Sequence, residues 1–93
     1  MASPADAGPE GIAVTVRYFA AACAAAGSES ETLTLRPGTT VAELVERLAA
    51  RGSRLAAVLS RCSYLCDGIA VRDETAPLRG GNTIDVLPPF AGG

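Results

Sequence analysis

The chain has no histidine and no lysine, and its aromatic side chains are limited to two tyrosines and two phenylalanines. Without histidine no Ser-His or Cys-His pair can form, and the commonest general base is missing. Without lysine there is no phosphate loop: Gly80-Gly81 leads into Asn82, not into the Lys-Ser or Lys-Thr that such loops require. No apolar run approaches the ~20 residues that span a bilayer. The opening Met1-Ala2-Ser3-Pro4-Ala5-Asp6 lacks both the positive and the apolar stretch of a secretory signal. The net charge is −2 and the arginines are scattered, so there is no basic stripe for nucleic acid. A cytoplasmic protein with neither nucleic-acid nor membrane partners is expected.

Cysteines are few as well: Cys23, Cys62 and Cys66. An odd number without framework spacing argues against disulfides and fits a reducing compartment. With no histidine available, a zinc site would need Cys23 or carboxylates to complete its ligands, and no metal is expected. Cys66 reads as a small hydrophobe in a strand, and Cys23 as the thiol most open to reaction. Glu43 and Glu46 read as a solvated helix face rather than as a catalytic carboxylate pair.

What the chain does have is a globular composition, 48% hydrophobic and 19% charged, in 93 residues, enough for one domain. Residues 1–11 read as a polar leader. Ile12 to Phe19 alternates with Ile12, Val14, Val16 and Tyr18 on one face, which predicts a strand. Ala20 to Ala26 predicts one or two helical turns closed by Gly27. Glu31 to Leu35 predicts a second strand, ended by Pro37-Gly38. Thr40 and Glu43 have the spacing of a capping box, and Val41, Leu44, Val45 and Leu48 share one helical face. A helix over 41–51 follows, stopped by Gly52 in a left-handed conformation, with a short helix over 54–60. Tyr64 to Cys66 and Ile69 to Val71 predict strands around an Asp67-Gly68 turn. Asp73 to Arg79 is loop, Gly80-Gly81-Asn82 a turn, and Thr83 to Leu87 the last strand. The order predicts an α+β domain over 12–87: a mixed sheet of four to five strands with one main helix on one face.

Pro88-Pro89 cannot donate ladder hydrogen bonds, so the sheet stops there and the fixed φ of both rings launches the chain in a set direction. Residues 88–93 then form an extended tail. Phe90-Ala91-Gly92-Gly93 would reach roughly 13–14 Å at ~3.3–3.6 Å per residue. The two glycines make it thin enough for a narrow channel, since no Cβ meets the walls. Its reactive group would be the Gly93 α-carboxylate, ionised at neutral pH with a pKa of about 3.3–3.7. Such a group is a poor electrophile and needs activation, typically as an acyl-adenylate made from ATP. The exposed sheet face around Phe19, Leu87 and Phe90 is the expected partner surface.

Val14-Thr15-Val16-Arg17-Tyr18-Phe19-Ala20, Thr40-Val41-Ala42-Glu43-Leu44 and Leu87-Pro88-Pro89-Phe90-Ala91-Gly92-Gly93 resemble the ubiquitin-like sulfur carriers of the MoaD/ThiS family. Within it the chain is most similar to small subunits of molybdopterin synthase, of actinobacterial type. The resemblance covers about residues 12–93 and implies a β-grasp fold. It implies that an adenylating enzyme related to ubiquitin activators joins AMP to Gly93, consuming ATP, and that persulfide sulfur then replaces AMP to leave a thiocarboxylate. Gly93, Gly92, Ala91, Phe90, Pro89 and Pro88 would enter the active site of a large catalytic subunit, in a heterotetramer of two small and two large chains. There the sulfur converts a cyclic pyranopterin monophosphate to its dithiolene. The small chain itself would be non-catalytic and bind no cofactor. Alternatives are a ubiquitin-like modifier conjugated to lysines, or a sulfur donor for thiazole or cysteine synthesis. Departures from the family pattern are Asp67-Gly68 for Asn-Gly, Gly80-Gly81-Asn82 for Asp-Gly-Asp, and Phe90 for the usual Val.

Overall fold

The computed structural model describes residues 11–89. The predicted leader, apart from Gly11, and the tail from Phe90 onward lie outside the described residues. The elements are β1 (Ile12–Tyr18), α1 (Ala21–Ala26), β2 (Ser30–Leu35), α2 (Val41–Ala49), α3 (Ser53–Leu59), β3 (Ser63–Cys66), β4 (Ile69–Ala70) and β5 (Thr83–Leu87). They form one five-stranded sheet in the order β2-β1-β5-β3-β4. β1 runs parallel to β5 and antiparallel to β2, while β3 is antiparallel to both β5 and β4. This is the β-grasp arrangement, with the last strand at the centre of the sheet.

Alternation along the strands decides which face is buried. Val14, Val16 and Tyr18 of β1 are buried beside Ile84 and Val86 of β5, Leu35 of β2 and Tyr64 of β3. These meet Ala22 of α1, Leu44 and Leu48 of α2, and Leu55 and Leu59 of α3 in one core. Leu44 and Leu48 are fully buried, so each contributes on the order of 1.5–3 kcal/mol of transfer free energy. Ile12, expected on this face, is only half-buried at its edge.

The helix starts follow from local chemistry. At α2 the capping box is complete: Glu43 N–H donates to Thr40 Oγ1 at 3.1 Å, and Thr40 N–H to Glu43 Oε1 at 2.9 Å. Glu43 is thereby absorbed into a structural role. The helix ends at Ala49 rather than at residue 51, and Gly52 does not terminate it in a left-handed conformation. Gly52 instead has φ 169° and ψ 156°, extended backbone that turns the chain directly into α3 as its N-cap. The glycine signal was real, but two helices share the junction and no Schellman-type turn forms. At α1 the prediction holds, with Gly27 at φ 78° receiving the left-handed position.

β1 ends at Tyr18, one residue short of the predicted Phe19, although Phe19 N–H still donates to Val86 O at 3.2 Å. The chain then turns at Ala20, whose φ of 50° and ψ of −126° are the angles of the first central residue of a type II′ turn. Phe19 O closes the turn by accepting from Ala22 N–H at 3.0 Å. Such a conformation suits glycine and strains alanine. At the β3–β4 hairpin Asp67 and Gly68 both have positive φ, 51° and 84°, as a type I′ turn requires. The Asp67 carboxylate also accepts from Thr83 N–H at 2.8 Å and from Asn82 Nδ2 at 2.7 Å, tying the hairpin to the entrance of β5.

A polar network holds β1, β2 and the junction between α2 and α3 together at the other edge. Tyr18 Oη donates to Glu31 Oε2 at 2.6 Å, and Arg51 grips the same carboxylate with Nη1 and Nη2 at 2.5 and 2.9 Å. The Arg51 bond holds the Glu31 carboxyl below the usual carboxylate range. Burial, reinforced by Glu31, pushes the Tyr18 phenol well above its ordinary value.

Because Glu31 is depressed in the folded state, its contribution is complete above the unfolded carboxylate pKa, near 4.5, and fades as pH falls through the lower folded value. Arg51→Met is therefore expected to lower Tm at pH 7, with the difference from wild type narrowing below pH 4.5 in thermal scans. An undiminished difference at pH 2.5 would show that the pair contributes by packing instead. Ala20→Gly is expected to raise the unfolding free energy by about 1 kcal/mol, relief of turn strain exceeding the entropy that glycine adds to the unfolded chain; urea titration measures it.

Candidate functional site

The face of the sheet opposite the helices is covered by no described element. In register across its centre stand Arg17 of β1 and Asp85 of β5, directly paired. The guanidinium binds the carboxylate in two places, Nε to Oδ1 at 2.6 Å and Nη2 to Oδ2 at 2.9 Å. Asp85 is the one buried charged residue among the described residues, its side chain 9% exposed against 52% for Arg17. Arg17 also lies 5.5 Å from the centroid of the Phe19 ring, over its face. The hydrogen bond and charge of Asp85 raise the Arg17 pKa further above its ordinary value.

Neither member of this pair was among the residues expected at the site. A signal existed: in Thr83-Ile84-Asp85-Val86-Leu87 the aspartate falls on the face away from Ile84 and Val86, as Arg17 does between Val16 and Tyr18. Charges of opposite sign on matching faces of two strands are a cross-strand pair once the strands are known to be neighbours.

Phe19 and Leu87, both expected at the partner surface, are each half-buried. Leu87 pairs with Ser63, and Leu65 with Asp85, on the same open face. The face is thus a buried-carboxylate ion pair bordered by Leu65, Leu87 and Phe19, able to offer apolar contact and one oriented guanidinium. Phe90, the third expected anchor, lies outside the described residues, as do Ala91, Gly92 and Gly93.

The root of the tail is described. β5 stops at Leu87 and the prolines follow, as expected. Pro88 is buried and Pro89 is exposed. The thiols stand apart from this region in role. Cys62 donates to Val58 O at 3.2 Å, and burial pushes its pKa up. Cys66 lies half-buried in β3, its pKa raised by burial and by Asp67. Cys23, read as the most open thiol, is half-buried against the core from α1.

A five-stranded β-grasp sheet with its helices on one face defines the ubiquitin-like class of small domains. Within that class the chain belongs to the ThiS family, whose sequence profile matches residues 16–93. Among solved structures it is similar to a putative molybdopterin converting factor subunit 1 from Pyrococcus furiosus, at 24% identity and TM-score 0.76 over 84% of this chain and 98% of that one. It is similar to small archaeal modifier protein 1 of Haloferax volcanii, at 20% identity and TM-score 0.73, over 85% and 99% of the two chains. A third likeness is to a complex of subunits 1 and 2 of the molybdopterin-converting factor from Helicobacter pylori, at 23% identity and TM-score 0.64, over 88% and 100%. A sequence search of curated proteins finds no match.

Removal of Arg17 strands a carboxylate that is almost out of water, whereas removal of Asp85 frees a guanidinium that is already half in it. Arg17→Ala is accordingly expected to lower Tm more than Asp85→Ala, and the double variant to lose less than the sum of the two. Equal and additive losses in differential scanning calorimetry would count against a coupled pair.

Proposed function

We propose that this chain is the sulfur-carrying small subunit of a molybdopterin synthase, with the Gly93 carboxyl group as its working part. The observation that carries the reading is the position of β5. Held between β1 and β3 and stopped by the buried Pro88, it makes the tail's point of departure one of the best-fixed points of the fold. Four residues beyond Pro89 suffice to bring Gly93 into a partner's active site while the domain docks outside.

The chemistry runs in two stages. A Gly93 carboxylate oxygen attacks the α-phosphorus of ATP in an activating enzyme, giving the glycyl adenylate and releasing pyrophosphate. A persulfide sulfur then attacks the acyl carbon and AMP departs; reductive cleavage of the S–S bond by a thiol leaves the thiocarboxylate. In the large subunit that thiocarboxylate sulfur bonds to a pterin side-chain carbon as that carbon's bond to oxygen breaks, the oxygen leaving on phosphate or as water, and hydrolysis of the resulting thioester returns the carboxylate. This chain holds and orients its tail; bases and phosphate ligands come from the partners, in keeping with a sequence that lacks histidine and lysine. Arg17, Phe19, Leu65 and Leu87 on the open face, with Phe90 beyond it, would make the docking contact. We further assign residues 88–93 as the working segment and 12–87 as its carrier, in a cytoplasmic heterotetramer with no bound cofactor.

The second reading, a protein modifier, is favoured by the likeness to small archaeal modifier protein 1. Intact mass after incubation with ATP, a sulfur source and the activating enzyme separates the two. Sulfur replacing one oxygen at Gly93 marks the carrier; isopeptide-linked products mark the modifier.

Adding one residue after Gly93 is expected to abolish pterin product, since the reacting carbon would be displaced by up to ~3.6 Å and a misplacement of about 1 Å already costs roughly 100-fold. Deleting Gly93 should be equally damaging, with circular dichroism and Tm unchanged in both. Product formed by an untrimmed extended chain would refute the carrier reading. The triple Cys23, Cys62 and Cys66→Ala variant is expected to accept and deliver sulfur to the same extent as wild type, because the sulfur rides on an acyl carbon. Complete loss of transfer in a folded triple variant would place a thiol in the path.

A further inference from the structure

The sheet ends differently on its two sides. β4 is an edge of two residues, whereas β2 at the other end has six and pairs with β1 in unbroken register. Hydrogen bonds show which way the β2 backbone points. Tyr18 N–H donates to Glu29 O at 2.8 Å, while Thr15 and Phe19 N–H donate the other way, to Asn82 O at 3.0 Å and Val86 O at 3.2 Å. The even-numbered residues of β1 therefore bond Glu31, Leu33 and Leu35, and alternation turns the N–H and C=O of Ser30, Thr32 and Thr34 outward. The 3.3 Å approach of Thr15 Oγ1 to Thr32 Oγ1 agrees, since side chains come closest where a pair exchanges no backbone bonds. Ser30, Thr32 and Thr34 are exposed. Among the described residues, only Ser28 Oγ meets one of their outward groups, donating to Ser30 O at 2.7 Å.

Edge strands that stay single carry a lysine, a proline or a bulge, or lie under a covering segment. Ser30-Glu31-Thr32-Leu33-Thr34-Leu35 has neither lysine nor proline, runs without a bulge, and is covered by no described element. Its one charge, Glu31, sits on the helix side and is already bound by Arg51. We infer that β2 pairs with β2 of a second copy, antiparallel about a two-fold axis at Thr32. Thr32 then faces Thr32, and Ser30 faces Thr34 on either side, so the outward N–H and C=O groups meet their complements, two bonds to each pair. Small and β-branched side chains line up on the open face, a favourable cross-strand set. On the helix side Glu31 meets Leu33, so like charges are not opposed. This self-match selects a second copy: a foreign strand would find only small hydroxyl side chains to read, whereas β2 turned end for end repeats its own pattern.

The pairing goes beyond the carrier reading and does not depend on it. The two-fold axis stands perpendicular to the sheet, so the two sheets join into one with both open faces on the same side. The two β5 strands then lie roughly 24 Å apart, at ~4.8 Å per strand spacing. Arg17, Phe19, Leu65 and Leu87 of each copy stay uncovered, so a paired chain can still dock by that face. A strand pair of this length falls short of the ~1,000 Å² of a long-lived interface, so the association is weak and follows concentration.

Amide exchange with solvent, read by NMR on the full-length chain, tests this. The Ser30, Thr32 and Thr34 amides are expected to exchange about twofold or more slowly at ~2 mM than at ~20 µM. Those of Glu31 and Leu33, already bonded to β1, should not change. Rates independent of concentration would overturn the inference, and outward amides slow at both concentrations would put a segment of the same chain on the edge and overturn it too. So would a slowing shared equally by Glu31 and Leu33, the mark of association elsewhere. Thr32→Pro removes an N–H that β1 does not use, as an edge strand tolerates. It is expected to abolish the concentration dependence at Ser30 and Thr34 with circular dichroism unchanged. Should that variant fail to fold, Thr32→Lys sets like charges directly opposite each other at the axis and is expected to do the same. Concentration dependence kept by a folded Thr32→Lys chain would overturn the pairing.

Discussion

The parallel pairing of β1 with β5 is the contact on which the rest of the molecule depends. It joins Thr15 to Thr83 and Tyr18 to Val86 across almost the whole chain and places four core side chains, Val16, Tyr18, Ile84 and Val86, in register. A parallel pair needs a long crossover, and here that crossover supplies all three helices. The helices cover one face because the crossover passes there, and the other face is left open. Loop-closure entropy makes such a contact costly to form, and it is offset only once the helices have buried Val14, Val16, Ile84 and Val86 from the other side. The root of the tail is therefore fixed as a result of the entire fold and not by local preference.

The open face owes its character to the same pairing. Asp85 would be a poor residue for a central strand if Arg17 did not stand opposite it in the neighbouring one. The pair keeps that centre hydrophilic while the aliphatic stem of Arg17 and the side chains around it exclude water from the carboxylate. A sheet face left open and purely apolar would invite indiscriminate association; an oriented ion pair among Leu65, Leu87 and Phe19 asks for a matching polar group as well as for area.

Much of this was legible because local chemistry and tertiary structure agree. Periodicity located the strands, Thr40 and Glu43 marked α2, and Asp67-Gly68 marked a turn whose two positive φ angles follow from its residues. Gly52 misled because glycine is ambiguous: it serves a left-handed stop and an extended junction equally well, and only the proximity of Ser53 as the next helix start decided between them. The Arg17–Asp85 pair was invisible until strand order was known, since sequence shows faces but not neighbours. Asp67 and Asn82, each read as an isolated departure from the family pattern, turn out to be bonded to one another.

The central place of β5 has a mechanical side. A pull on the end of β5, directed along the strand, loads the hydrogen bonds to β1 and β3 together, in shear. A strand at the edge of the sheet would instead be peeled away one bond at a time. Tension along β5 is thus spread over both neighbouring strands at once.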